Sequence, residues 1–165
     1  MNDTAQELVA ALRDELRQYG ALLGLLEQQQ TSIIERRTHD LLEAIDAVNA
    51  QAIAVESARH AREGCRRSLA VVLGLPEQVT FSALLPGLSP AGRTMVQALV
   101  DENNLLLGRI QQRARQNQML LRRALDLMQQ FMERLFPSVG STGYDGTGRR
   151  MEPATALRRV YEAVV

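Results

Sequence analysis

The sequence has no lysine and no tryptophan, a single cysteine, and only 4% aromatic residues. Each shortage excludes something. Without lysine there is no Schiff-base amine and no P-loop lysine. With Cys65 alone, no internal disulfide forms, and a reducing, cytoplasmic compartment is the simplest expectation. Few aromatics suit a helical bundle, whose seams are filled by Leu, Ile, Val and Ala, better than a β-sandwich. No run of about 18 apolar residues occurs, so membrane insertion is not expected. The opening MNDTAQELVAALRDEL is acidic and amphipathic, unlike the basic start and apolar block of a signal peptide. Nineteen arginines balance nineteen acidic residues, and a net charge of zero points away from nucleic acid, whose phosphates need a basic face.

What the chain does have is helical spacing. In residues 9–33, Val9, Leu12, Leu16, Tyr19, Leu23, Leu26 and Ile33 recur in steps of three and four, with Gln30 the exception. Gly20 and Gly24 weaken this helix unless a neighbour packs closely there. Thr38 or Asp40, the latter followed by Glu43, is expected to cap a second helix. Its seam runs through Leu41, Ile45, Val48, Ala52, Val55, Ala58, Cys65, Leu69 and Val72, broken at Arg62; Gly74 and Pro76 end it. Residues 75–92 hold three prolines and two glycines around Phe81, Leu84 and Leu85, a connector with one short helical turn folded onto the bundle. Ser89 and Pro90 supply the cap and first position of a third long helix. That helix has its seam at Val96, Leu99, Leu106, Ile110, Ala114, Leu121, Ala124, Met128, Phe131 and Leu135. Asn103 and Asn117 share its phase, either as buried register pins or at the edge of a drifting seam.

The fold class is therefore all-α: an elongated antiparallel bundle of three long helices with a short connector helix and a C-terminal tail. Residues 1–136 form the bundle domain and 137–165 a glycine-rich tag followed by an amphipathic segment. In that segment Leu157, Val160, Tyr161 and Val164 recur at helical spacing behind Pro153. It is either a binding element that folds on contact or a frayed end.

The polar residues suggest no catalysis. His39 and His60 lack further ligands at helical spacing, so no metal site and no cofactor is expected. Cys65 falls in a seam and reads as a small buried hydrophobe. Pairs such as Asp14–Glu15 and Asp101–Glu102 read as solvated surface. The chain is expected to be an interaction module, not an enzyme.

Three segments carry a resemblance. RRSLAVVLGLP closes the second helix with Arg-x-x-Leu-x-x-x-Leu-Gly-Leu. RQNQMLLRRALDLMQQFMERLF holds Asn-x-x-Leu-Leu followed by repeated apolar steps. In GSTGYDGTGRR, Tyr144 and Asp145 precede Gly148 and Arg149. In this order, over residues 5–150, they resemble the FlgN family of flagellar export chaperones. The resemblance implies a cytosolic chaperone of the flagellar type III export system. It would hold hook–filament junction (hook-associated) proteins unassembled and deliver them to the export gate component FlhA. Tyr144, Asp145, Gly148 and Arg149 would be the gate-docking tag, with packing of Tyr144 back onto the third helix as the alternative. Phe131, Leu135, Leu157, Val160, Tyr161 and Val164 would contribute to client binding. A structural coiled-coil homo-oligomer is the competing expectation: the chaperone should be a monomer or weak homodimer, the coiled coil a stable oligomer.

Overall fold

The structure, a computed structural model, describes residues 3–135. Four α-helices follow one another: α1 (Asp3–Ile34), α2 (Thr38–Val72), α3 (Phe81–Leu84) and α4 (Pro90–Leu135), with a 3-10 turn at Leu85–Gly87. Among the described residues there is no strand. The chain divides into two compact units, Met1–Leu121 and Arg122–Val165, and α4 contributes to both.

In the first unit, α1 and α2 run antiparallel. Their connection is shorter than the capping pattern suggests. Arg36, not a glycine, takes the left-handed conformation (φ 56°). The Arg37 N–H donates to Ser32 O at 3.0 Å and the Arg36 N–H to Ile33 O at 3.3 Å, so two terminal carbonyls of α1 are satisfied. The residue at the start of α2 is Arg37, without a side-chain cap; its guanidinium instead pairs with Asp40 at 2.7 Å. Thr38 and Asp40 are thus not the caps their residue types imply.

The end of α2 follows its sequence. Gly74 has φ 69°, the Leu75 N–H donates to Ala70 O at 2.9 Å and the Gly74 N–H to Val71 O at 3.0 Å. This is a Schellman ending with glycine where a side chain would be strained. The connector then folds back. Arg66, 8% exposed, donates to the carbonyls of Glu77 and Val79 and grips Glu63. That guanidinium holds the Glu63 carboxyl below its usual range and is itself raised. The Arg-x-x-Leu-x-x-x-Leu-Gly-Leu run therefore has a physical account. Arg66 pins the connector, Leu69 is fully buried, Leu73 lies against Gly87, and Gly74 turns the chain. Leu84 and Leu88 close over the bundle end, and the Ser89 hydroxyl accepts from the Gly92 N–H at 3.2 Å as the expected cap of α4.

Two apolar clusters fill the unit. The first joins Ala5, Leu8, Val9 and Leu12 to Leu69, Ala70, Leu84, Leu88 and Val96. The second holds Tyr19, Leu22, Leu26, Val55 and Ile110. Between and beyond them lie polar layers, which account for the differences from the expected seams. On α1 the buried positions are Ala5, Leu8, Val9, Leu12, Glu15, Tyr19, Leu22, Leu26, Gln29 and Ser32. This stripe shares Val9, Leu12, Tyr19 and Leu26 with the expected one but beyond Leu12 otherwise lies one residue earlier, leaving Leu16, Leu23 and Ile33 half-buried.

The shift brings Glu15 inside, so it is not surface. The Tyr19 hydroxyl donates to Glu15 Oε1 at 3.1 Å, and Arg62 Nε lies 3.3 Å from Oε2. Arg62 also stands over the Phe81 ring, 5.6 Å from its centre. The position that breaks the α2 pattern is thus the counter-charge of the position that breaks the α1 pattern, as a buried carboxylate requires. Ala52 and Val72 of α2 and Ala114 of α4, expected in seams, are exposed.

On α4, beyond Gly92, the buried positions are Val96, Asn103, Ile110 and Asn117, each seven residues after the last. The asparagines are register pins, not edge residues. Asn103 Nδ2 donates to Leu12 O at 3.1 Å, and Asn117 Nδ2 to Leu26 O at 2.8 Å and Gln29 Oε1 at 2.8 Å. Both partners advance together along the chain, so α1 and α4 run parallel while each is antiparallel to α2.

Candidate binding face at the end of α4

The second unit has a different character. Its described part, residues 122–135, is the C-terminal stretch of α4, and no residue there is buried. Yet the stretch is strongly patterned. Leu125, Met128, Met132 and Leu135 recur in steps of three, four and three, with Leu127 and Phe131 beside them. Arg122, Arg123, Asp126, Gln129, Gln130 and Glu133 occupy the opposite side, where Gln129 donates to Glu133 at 3.1 Å. The apolar side chains are 50–64% exposed: Met132 50%, Leu125 53%, Leu135 54%, Phe131 58%, Leu127 61% and Met128 64%.

A helix with one apolar face forms because that face will be covered. In the first unit the α4 face is covered by α1 and α2; here Ala124, Met128, Phe131 and Leu135, expected within the buried seam, are exposed. Burying each large side chain is worth about 1.5–3 kcal/mol, so this face offers substantial energy to a complementary helix. The flexible thioethers of Met128 and Met132 adapt to more than one surface.

His39 and His60 are exposed beside Glu43 and Glu56, at 3.4 and 3.2 Å. Among the described residues no three His, Cys, Asp or Glu side chains gather as a metal site would require. Cys65 is half-buried, and burial, with the nearby Glu7, pushes its thiol up. A cavity of about 260 Å³ beside Glu15, Tyr19, Arg62 and Asn103 belongs to the polar layer already described.

Of the site residues expected from sequence, Phe131 and Leu135 stand on the exposed face. Tyr144, Asp145, Gly148, Arg149, Leu157, Val160, Tyr161 and Val164 lie outside the described residues. Leu125, Leu127, Met128 and Met132 join the candidate site only now. Their spacing was visible, but spacing alone does not distinguish a face that is covered from one that is left open.

These features define an all-α protein with an exposed apolar face on α4 from Leu125 to Leu135. A model of the FlgN protein family matches residues 1–152, nearly the whole chain, and the protein belongs to that family. It is a flagellar type III export chaperone. No curated protein and no solved structure matches the chain. Among the described residues no helix is long and apolar enough to cross a membrane.

Proposed function

We propose that this chaperone holds hook–filament junction proteins in the cytoplasm and delivers them to the export gate component FlhA, without catalysing a reaction. The exposed apolar face of α4, from Leu125 to Leu135, carries this reading. Terminal helices of such clients would self-associate if left free, and an amphipathic helix face offers them an alternative partner at i, i+3 and i+4 anchors. Leu157, Val160, Tyr161 and Val164 would supply a second apolar strip around the client. Tyr144, Asp145, Gly148 and Arg149 would form the gate-docking tag.

The test uses the full chain with Phe131→Asp. Binding to a purified hook–filament junction protein should fall at least roughly ten-fold, the effect of losing about 1.4 kcal/mol at an interface anchor. The melting temperature should not move, because Phe131 is exposed. Unchanged client binding overturns the assignment of the face. If the wild-type chain instead forms a stable oligomer that Phe131→Asp dissociates, the face serves a structural coiled coil.

A further inference from the structure

The two halves of α2 are held to the bundle very differently. From Val55 to Val72 the helix buries Val55, Ala58, Arg66, Leu69 and Ala70; from Thr38 to Ala54 it buries none of its residues. The α1 stretch alongside is well buried, through Leu22, Leu26, Gln29 and Ser32. We propose that residues 38–50 are a strap that unwinds as one unit while α1 and the α2 stretch from Val55 onward stay folded. The strap belongs to the first unit and is independent of the reading of Leu125–Leu135.

Packing explains the contrast. Leu41, Ile45 and Val48 are only half-buried, and Leu42 and Ile53 are exposed. A cavity of about 410 Å³ lies between Asp40, Ala44 and Ala47 of α2 and Gln28, Thr31 and Ser32 of α1. Alanine is too small to fill that space, and a gap forfeits the dispersion contacts that partner atoms would supply. Polar contacts do not make up the deficit. The ion pairs at the start of the helix, Arg37–Asp40 at 2.7 Å and His39–Glu43 at 3.4 Å, are local. Among the described residues no hydrogen bond or ion pair joins 38–50 to α4 or to the body of α1. The first such tie comes at Gln51, whose Nε2 donates to Gln18 O at 3.1 Å and to Gln18 Oε1 at 2.9 Å. Arg37 supplies no side-chain cap.

The mode of opening follows from the attachments. Residues 35–37 tether one end of the strap to α1, and Gln51 with Val55 tethers the other, so the helix cannot swing out whole. It opens by unwinding, because a helix of about thirteen residues has too little propensity of its own to persist without packing. Segments with few buried apolar contacts open at a lower free energy than the whole domain. Unwinding takes Val48 off the cluster of Tyr19, Leu22, Leu26 and Ile110, so apolar surface of α1 and α4 appears in the open form. Beyond the Gln51 tie, buried side chains recur from Val55 to Ala70 and stop the opening there.

Amide hydrogen exchange of the full chain without client, resolved residue by residue by NMR, tests the strap. Leu42–Ala50 should share one protection factor, at least roughly ten-fold below that of Leu69 and Ala70. Low concentrations of urea should barely change it while exchange at Leu69 and Ala70 accelerates, since a small opening exposes little surface. Val96→Ala weakens the cluster of Leu8, Leu69 and Val96 at the opposite end of the unit. It should speed exchange at Leu69 and Ala70 several-fold and leave the strap unchanged, because strap opening keeps that cluster intact. Ala47→Gly should speed every amide from Leu42 to Ala50 by one common factor, as a single opening requires. Protection that rises steadily from Leu42 to Ala50 is end fraying and overturns the proposal. So does protection equal to that of Leu69 with the same response to urea and to Val96→Ala, which is one global opening. A change in Ala47→Gly confined to the amides next to position 47 also overturns it.

Discussion

Asn117 donates to the backbone carbonyl of Leu26 at 2.8 Å, and fourteen residues earlier on each helix Asn103 donates to that of Leu12 at 3.1 Å. Both pairs are separated by 91 residues, which is thirteen heptads, so α1 and α4 keep one register along the bundle. A buried amide that reaches a main-chain carbonyl fixes axial alignment, since a slip of one residue places it against a different group.

Asn117→Ala removes the donor to Leu26 and leaves the buried Gln29 carbonyl oxygen without its partner. Stability should fall by about 1–3 kcal/mol, the cost of an unsatisfied buried group. Urea melts followed by circular dichroism check this. A change within about 0.5 kcal/mol, the range of an ordinary surface substitution, rejects the pin.

The polar layer around Glu15 should appear in alkaline denaturation. Burial first, then the Glu15 carboxylate, pushes the Tyr19 phenol up to about 12 from an ordinary value of 10.0. A raised folded-state pKa means the stabilisation is complete below pH 10 and is lost as the pH rises through about 12. Stability should therefore decline between these values, and the decline should shrink in Tyr19→Phe. That variant should also lose about 1 kcal/mol at neutral pH, since Glu15 loses a donor. Denaturant midpoints measured across the pH range, with tyrosinate absorbance at each point, test both statements.

Two glycines should answer substitution by alanine with opposite signs. Gly20 lies within α1, and a methyl group added there meets nothing within 4 Å, so Gly20→Ala should stabilise by about 1 kcal/mol through helix propensity. No close packing explains this glycine. Gly74 has φ 69° at the end of α2, and Gly74→Ala should destabilise by roughly 1–2 kcal/mol through left-handed strain. Thermal melts of the pair decide; two shifts of the same sign reject the account.

The tag containing Tyr144 yields a prediction on binding alone. As a docking contact with the FlhA cytosolic domain, Tyr144→Ala should weaken that interaction by about 1–3 kcal/mol and leave client binding and melting temperature unchanged. Isothermal titration against the purified gate domain measures the first, calorimetric scanning the last. A lowered melting temperature with unchanged gate affinity identifies Tyr144 as a staple on α4 instead.

Helix type and many boundaries were legible from local chemistry. Ser89–Pro90 capped α4 as its residue types imply, and Gly74 ended α2. The 3/4 spacing gave three long helices because an amphipathic stripe is a property of a segment by itself. The turn at Arg36 was hidden, because arginine gives no sign of a left-handed residue.

Which stripe faces inward is not a local property. On α1 the stripes through Leu16, Leu23 and Ile33 and through Glu15, Leu22 and Gln29 are both spaced three and four, and composition favours the first. The tertiary structure selected the second because Arg62 and Asn117 meet Glu15 and Gln29, and buried polar groups are tolerated only where a partner reaches them. Composition alone predicts helices whose apolar faces want cover. Which length of α4 receives that cover within the first unit depends on where α1 and α2 end and pack.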